Sequence, residues 1–220
     1  MSIPKTIAFE PGSLRLYLVT DRQLCGERGV VETVRQALVG GVTAVQLRDH
    51  AATTRELLDT ARQLRSITTD AGVPFIVDDR LDVALAAGAD GVHLGQSDLH
   101  PVDARRLVGP GLVIGHSVSC IDEIQAVREW PAGTIDYLGV GPVFATPTKP
   151  NAAMPLGIDG VREVLANCDL PAVAIGGIKE IHVAQLRDVG AAGVAVVSAV
   201  CEAPDPAVAA RTLLAAEVIR

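Results

Sequence analysis

The sequence predicts a single-domain α/β protein, a TIM-type (β/α)8 barrel, on three observations. Eight short apolar runs alternate with segments of helical period. One helix-to-strand joint recurs along the chain. The 220 residues, divided among eight runs, leave about 27 residues for each strand–helix unit, close to the spacing of eight-fold barrels.

Each apolar run has the length and composition of a strand that is buried on both faces. The runs are residues 14–20, 43–48, 74–79, 91–95, 112–117, 137–143, 171–177 and 194–199. Between them lie amphipathic segments such as 30–41, 53–72 and 179–190. Continuous apolar strands that alternate with helices indicate a parallel sheet covered by helices.

The recurring joint places a glycine where a helix ends and the next strand is about to begin. It is written in VGGVTAVQL (39–47), AGADGVHLG (87–95) and VGAAGVAVV (189–197). We expect Gly40, Gly88 and Gly190 to adopt the left-handed conformation, which ends a helix at little cost. Three copies of one joint predict repeated βα units.

The alternative fold is an open, doubly wound sheet. Such a sheet would carry a glycine-rich dinucleotide turn after its first strand, and the segment LVTDRQLCGERG has no GxGxxG pattern. We therefore assign residues 14–220 to a closed barrel domain and residues 1–13 to an N-terminal tail.

Composition restricts the classes of function and the surroundings of the protein. Hydrophobic residues make up 49% of the chain and aromatic residues only 3%, which predicts an interior of Ala, Val, Leu and Ile. The net charge of −7 argues against nucleic acid or an acidic membrane as partner. Four scattered cysteines without a CxxC pair favour a reducing cytoplasm over a disulfide framework or a zinc site. The oligomeric state is left open, and a homo-oligomer is compatible with the sequence.

Polar side chains gather at one end of the predicted strands, where a barrel builds its active site. They are Thr20, Asp21, Gln46, Arg48, Asp49, His50, Asp78, Asp79, Arg80, Gln96, Asp98, Ser117, Thr146, Thr148, Lys149 and Ser198. The alternative is that they merely begin the loops, but the opposite strand ends are mostly Gly, Ala and Pro.

Two carboxylates suggest a magnesium site. Asp79 and Asp98 follow neighbouring strands, and hard carboxylate oxygens suit Mg²⁺. The alternative is that each residue caps the helix that follows it. Their closeness to basic groups favours the metal.

Arg48 and Lys149 are candidates to bind phosphate groups. The planar guanidinium of Arg48 can donate two parallel hydrogen bonds to a phosphate, and the ammonium of Lys149 is a mobile positive charge. Arg48 shares strand parity with Gln46, so both should face the barrel axis. A buried arginine also needs an anionic partner, either Asp79 or a ligand.

A monophosphate site is predicted at the turn Gly176–Gly177 and at Val197–Ser198, because loops after the last two barrel strands commonly bind phosphate. No nucleophile–base set is recognisable. His93 is interpreted as a satisfied core residue, and His116 should point away from the axis, toward the helices. The expected chemistry is electrostatic positioning of charged ligands.

These residues, in this order, resemble the thiamine phosphate synthase family over nearly the whole chain. The matching blocks are YLVTD (17–21), VQLRD (45–49), VDDR (77–80), DGVHLGQSD (90–98), IGHSVS (114–119), GVGPVFATPTKP (139–150), AIGGI (174–178) and GVAVVSAV (193–200). The blocks at 90–98 and 139–150 are specific to this family, whereas the others are shared with other phosphate-binding barrels. The resemblance implies a cytoplasmic transferase that makes thiamine phosphate from hydroxymethylpyrimidine diphosphate and a thiazole phosphate, releasing diphosphate.

The resemblance also implies a role for each matched residue. Gln46 and Arg48 would hold the pyrimidine and its diphosphate, Ser117 would contact the pyrimidine, and Lys149 would neutralise the leaving group. Asp79 and Asp98 would bind Mg²⁺. Thr146 and Thr148 would position the thiazole phosphate, whose phosphate would lie on Gly177, Val197 and Ser198.

Two positions depart from the family pattern. The family usually carries Lys at the position of His50 and Asn at the position of Asp78. Both departures weaken the expected pocket for the substrate's diphosphate. Two other functions therefore stay open: a thiazole tautomerase, which usually carries His at the position of Ser119, and a non-catalytic barrel that binds thiamine precursors.

Overall fold

The computed structural model describes residues 9–146 and 153–217, which form a closed barrel of eight parallel strands. The strands are β1 Leu16–Val19, β2 Ala44–Leu47, β3 Phe75–Asp78, β4 Gly91–Leu94, β5 Val113–Val118, β6 Tyr137–Val140, β7 Ala172–Ile175 and β8 Gly193–Val196. Each strand pairs with its neighbours in chain order, and β8 closes the barrel against β1. The fold predicted from the sequence is confirmed.

Helices cover the outside of the barrel. They are α1 Arg22–Cys25, α2 Val30–Val39, α3 Thr54–Ala71, α4 Leu81–Ala87, α5 Pro101–Val108, α6 Ile121–Arg128, α7 Gly157–Ala166, α8 Glu180–Asp188, α9 Ser198–Cys201 and α10 Pro206–Ala215. The longest, α3, begins at a capping box of Thr53 and Glu56 and ends at Gly72, whose φ is 68°. Among the described helices, none is both long enough and apolar enough to cross a lipid bilayer.

The repeated joint is present, but one of its glycines behaves differently from the prediction. Gly88 and Gly190 have positive φ (67° and 100°), whereas Gly40 is helical with φ −76°, and the positive φ falls on Gly41 (98°). The prediction for Gly40 was therefore wrong. A Cβ at Gly40 would lie 2.6 Å from the carbonyl oxygen of Ala207, so glycine is needed there for close packing of α2 on α10.

The apolar core has two layers. The outer layer lies between strands and helices and is aliphatic, as the composition predicts. The barrel centre is also mostly aliphatic, but its two largest side chains are Tyr17 and Tyr137, both fully buried. Gly115 makes room for this packing: a Cβ there would lie 2.2 Å from the Tyr137 ring.

Two buried or half-buried ion pairs fasten the rim at the amino-terminal ends of the strands. The Asp90 carboxylate accepts hydrogen bonds from Arg65 of α3 (2.5 Å) and from the N–H of Phe75 in β3 (2.9 Å). Asp136 repeats the arrangement two strands later, with Arg105 of α5 (2.6 Å) and the N–H of Ile114 in β5 (2.7 Å). Each carboxylate therefore ties a helix to the start of a strand.

Candidate active site

A cavity of about 610 Å³ opens at the carboxyl ends of the strands, and all eight strands contribute to its wall. Thr20, Asp21, Asp49 and Arg80, which the sequence also places at the strand ends, do not line it. The described residues to which the sequence assigns a binding role all do. These are Gln46, Arg48, His50, Asp78, Asp79, Asp98, Ser117, Thr146, Gly177, Val197 and Ser198. Thr148 and Lys149 lie outside the described residues. The barrel thus brings side chains from distant parts of the sequence to one opening.

Arg48 follows β2 and extends over the opening, with its side chain largely covered. Its guanidinium lies 3.6 Å from a carboxylate oxygen of Asp78 and 3.7 Å from one of Asp21. Asp79 had been one expected partner; the ion pairs are instead formed with Asp78 and Asp21. Both distances exceed the length of a hydrogen bond between nitrogen and oxygen. The guanidinium therefore keeps N–H donors that an anionic ligand can use.

His50 lies beside the carboxylates of Asp78 and Asp79. Its Nε2 is 3.7 Å from Asp78 and its Nδ1 is 3.5 Å from Asp79. Among the described residues, these three side chains offer ligand atoms that lie within 4.8 Å of one another. Asp78 does not turn toward Arg80, which pairs with Asp82 instead.

Asp79 and Asp98 form the acidic part of the opening. Among the described residues, Asp79 is the one non-glycine residue with a positive φ, 56°. Burial raises the pKa of Asp79 to about 8, with further contributions from the neighbouring charges of Asp78 and Asp98. Asp98 accepts a hydrogen bond from the N–H of Gly95 at 2.7 Å.

Neither of these two carboxylates caps the helix that follows it. The N-cap positions of α4 and α5 belong to Arg80 and His100, so neither Asp79 nor Asp98 is a cap. Burial and then the charges of Asp78 and Asp98 raise the pKa of Asp79, and the charge of Arg48 offsets this only in part. A hard cation such as Mg²⁺ would do so.

A chain of hydrogen bonds crosses the floor of the cavity. The Gln46 amide donates to the Tyr17 hydroxyl (3.0 Å), which bonds to Tyr137 (2.9 Å); Tyr137 bonds to Nδ1 of His93 (2.9 Å), and Nε2 of His93 bonds to Ser117 Oγ (2.9 Å). His93 is buried and hydrogen-bonded, as the sequence interpretation expects, yet its ring also lines the cavity.

The two tyrosines were not among the sequence candidates, although a signal existed. Tyr17 shares strand parity with Val19 of the cavity wall, and Tyr137 with Gly139, so alternation along each strand places both on the barrel axis. In the sequence, Ser119 marks only a departure from the tautomerase pattern. In the structure it lines the cavity and donates from its N–H (2.5 Å) and its hydroxyl (3.0 Å) to Glu123.

His116 points away from the axis, as predicted. Its Nδ1 bonds to the carbonyl oxygen of Leu94 at 2.8 Å, and its ring packs edge-on against Trp130. On the opposite side of the cavity, Gly176 and Gly177 have positive φ, 104° and 65°. They form the wall next to Val197 and Ser198, the residues expected to meet a phosphate.

Comparison with known proteins agrees with this geometry. The model of the family described as thiamine monophosphate synthase matches residues 16–200. The thiamine-phosphate synthase of Azorhizobium caulinodans is 49% identical over 203 residues, which cover 92% of this chain and 94% of the relative. That of Chloroflexus aurantiacus is 50% identical over 203 residues, covering 91% of each chain.

A solved structure, the thiamine phosphate pyrophosphorylase of Pyrococcus furiosus, superposes with a TM-score of 0.84 at 39% identity, covering 94% of this chain and 96% of the other. A 3-hexulose-6-phosphate synthase, 18% identical with a TM-score of 0.64, shares the fold alone. The protein is an enzyme of the transferase class, and the chain belongs to the thiamine monophosphate synthase family.

Proposed function

We propose that the protein joins hydroxymethylpyrimidine diphosphate to a thiazole phosphate, forming thiamine phosphate and releasing diphosphate with the help of Mg²⁺. The observation that carries the proposal is the single cavity in which a basic side chain, an acidic cluster and a glycine turn meet. Two anionic reactants need such a mixed surface, because each must be bound while their charges repel one another.

Asp79 and Asp98 would hold Mg²⁺, with Asp78 and His50 within reach of the same space. The bound cation would neutralise charge on the diphosphate oxygens. Arg48 would hold the diphosphate through the donors that its ion pairs leave unused. Lys149, outside the described residues, would neutralise the leaving group.

In the reaction, the bond between the methylene carbon and the diphosphate oxygen breaks, and the thiazole nitrogen forms a new bond to that carbon. Gln46 and Ser117 would hold the pyrimidine ring on the cavity floor. Thr146, with Thr148, would position the thiazole phosphate, and its phosphate group would lie on Gly177, Val197 and Ser198. The protein would act by positioning and by charge stabilisation, without a covalent intermediate.

Two alternatives make different use of the same barrel. For a tautomerase, which needs neither a metal nor a diphosphate site, the acidic cluster would have no purpose, and Ser119 is occupied with Glu123. For a non-catalytic binder, Asp78 would mark a decayed diphosphate site, since it takes up part of the charge of Arg48. Of the three functions, only the synthase reaction uses both the acidic cluster and the glycine turn of the cavity.

The test is an assay with both substrates, with Mg²⁺ and after its removal by a chelator. We expect thiamine phosphate and diphosphate in equal amounts, and only with the cation. Absence of product at saturating substrates and Mg²⁺ would reject the synthase. Calorimetry then separates the alternatives, because a non-catalytic barrel would still bind the pyrimidine diphosphate.

A further inference from the structure

Five side chains at the barrel centre form one continuous path, from Gln46 on β2 to Ser117 on β5. Its four hydrogen bonds are 2.9–3.0 Å long. Gln46, Tyr17, Tyr137 and His93 are buried, and Ser117 is half-buried at the cavity wall. Because the path begins and ends on residues that line the cavity, it connects two sides of the space available to a ligand.

One direction of donation satisfies every bond of the path. The Gln46 amide donates an N–H to Tyr17, whose single hydrogen can then be donated to Tyr137. In this direction Tyr137 donates to Nδ1 of His93. A neutral His93 then carries its hydrogen on Nε2 and donates it to Ser117 Oγ.

In this direction the Ser117 oxygen accepts from His93 at the end of the path, so the serine hydrogen stays available to the cavity. At the other end, the carbonyl oxygen of Gln46 takes no part in the path and can accept. Burial raises the pKa of both tyrosine hydroxyls, so both stay protonated and able to donate at neutral pH.

We propose that Tyr17, Tyr137 and His93 are positioning residues that make Ser117 a hydrogen-bond donor and the Gln46 carbonyl an acceptor toward the ligand. This polarity suits a neutral aminopyrimidine, whose ring nitrogen accepts and whose amino group donates. It disfavours a ring that is protonated at the nitrogen facing Ser117. The inference rests on the proposed function, since it concerns the pyrimidine of that reaction.

The first test measures the protonation state of His93 directly and needs no substrate. In ¹⁵N-histidine-labelled wild-type protein, NMR should show His93 neutral with its hydrogen on Nε2. Tyr137→Phe removes the partner of Nδ1, so the His93 signal should shift and is thereby assigned. A hydrogen on Nδ1, or a doubly protonated ring, would overturn the proposal, whether or not the protein makes thiamine phosphate.

The second test separates positioning from packing. Tyr17→Phe and Tyr137→Phe keep the ring but break the path, so KM for the pyrimidine diphosphate should rise about tenfold. The KM for the thiazole phosphate and kcat should change little. Thr68→Val is the matched control, because it removes a buried hydroxyl from α3, outside the cavity.

Equal changes of KM for both substrates in the phenylalanine variants, or no change, would contradict the proposal. If wild-type protein forms no product, calorimetric titration with the aminopyrimidine alcohol replaces the KM measurement. Weaker binding to Tyr137→Phe than to Thr68→Val would support the positioning role; equal binding would reject it. The failure of the synthase reaction is thereby distinguished from the failure of the hydrogen-bond path.

Discussion

At the scale of single residues, the carboxylate of Asp98 has a position that capping does not explain. It is held by the N–H of Gly95 and raises the pKa of Asp79. His100, two residues later, caps the following helix. We propose this carboxylate as a ligand of the cation at the cavity mouth.

We expect Asp98→Asn to lower activity at least about a hundredfold, because a bound cation contributes several kcal/mol of charge stabilisation. Mg²⁺ alone should raise the melting temperature of wild-type protein but not that of the variant. The control is Asp103→Asn, which removes an exposed carboxylate of α5 that pairs with Arg106. Full activity and an unchanged Mg²⁺ effect in Asp98→Asn would exclude Asp98 as a ligand.

His50 and Asp78 carry the second prediction at this scale. Asp78 lies 3.6 Å from Arg48 and 3.7 Å from His50, so it offsets positive charge where a diphosphate should bind. The double variant His50→Lys with Asp78→Asn should lower KM for the pyrimidine diphosphate about five- to tenfold, through an interaction of roughly 1 kcal/mol at the surface. KM for the thiazole phosphate serves as the internal control. A higher KM for the diphosphate would show that the pair assists binding.

At the scale of elements, the ion pairs at the amino-terminal rim differ in burial. Asp90 is fully buried and Arg65 is nearly so, whereas the Asp136 side chain is 39% exposed. Asp90→Asn should lower stability by about 3 kcal/mol, because it leaves a buried arginine without its countercharge. This corresponds to a fall in melting temperature of about 6–12 °C.

Asp136→Asn is the matched comparison and should cost about 1 kcal/mol, since water screens that pair. Chemical denaturation measures both values. Neither variant should change kcat or KM of the folded enzyme, because neither aspartate lines the cavity. Equal losses of stability in the two variants would contradict the role of burial.

The contact between α2 and α10 gives another prediction for elements. Gly40→Ala suits the helical φ of that position, but the added Cβ would meet the Ala207 carbonyl at 2.6 Å and the Ala210 Cβ at 2.7 Å. We expect a loss of about 1–3 kcal/mol from overpacking. Gly111→Ala, with open space around its Cβ and no positive φ, should be nearly neutral. An unchanged melting temperature for Gly40→Ala would mean that α10 shifts to accommodate the added methyl group without loss of stability.

At the scale of the whole molecule, the cavity wall includes residues from all eight strands. A ligand bound there should therefore stabilise the entire barrel. At a hundred times its Kd, a thiazole phosphate should add about 2.7 kcal/mol and raise the melting temperature by about 5–10 °C. Sodium chloride at equal ionic strength is the control. A ligand effect no larger than that of salt would speak against this site.

The sequence predicted the barrel and most of the charged side chains of the cavity wall, because topology leaves little freedom. Once eight parallel strands close, their carboxyl ends must meet, so Arg48 and Asp98 could be placed together without coordinates. Local details were less accessible. The positive φ lies on Gly41, whereas Gly40 stays helical and packs closely on α10. The partners of Arg48 depend on side-chain directions that spacing does not determine.

The two ion-paired aspartates lie at the rim opposite the cavity, and this separation bears on how the enzyme can change. The Arg65–Asp90 and Arg105–Asp136 pairs hold helices to strand starts without touching the cavity. Substitutions in the loops above the barrel therefore leave those attachments in place. New specificities can evolve, or be selected in a library, at one rim while the other preserves the architecture.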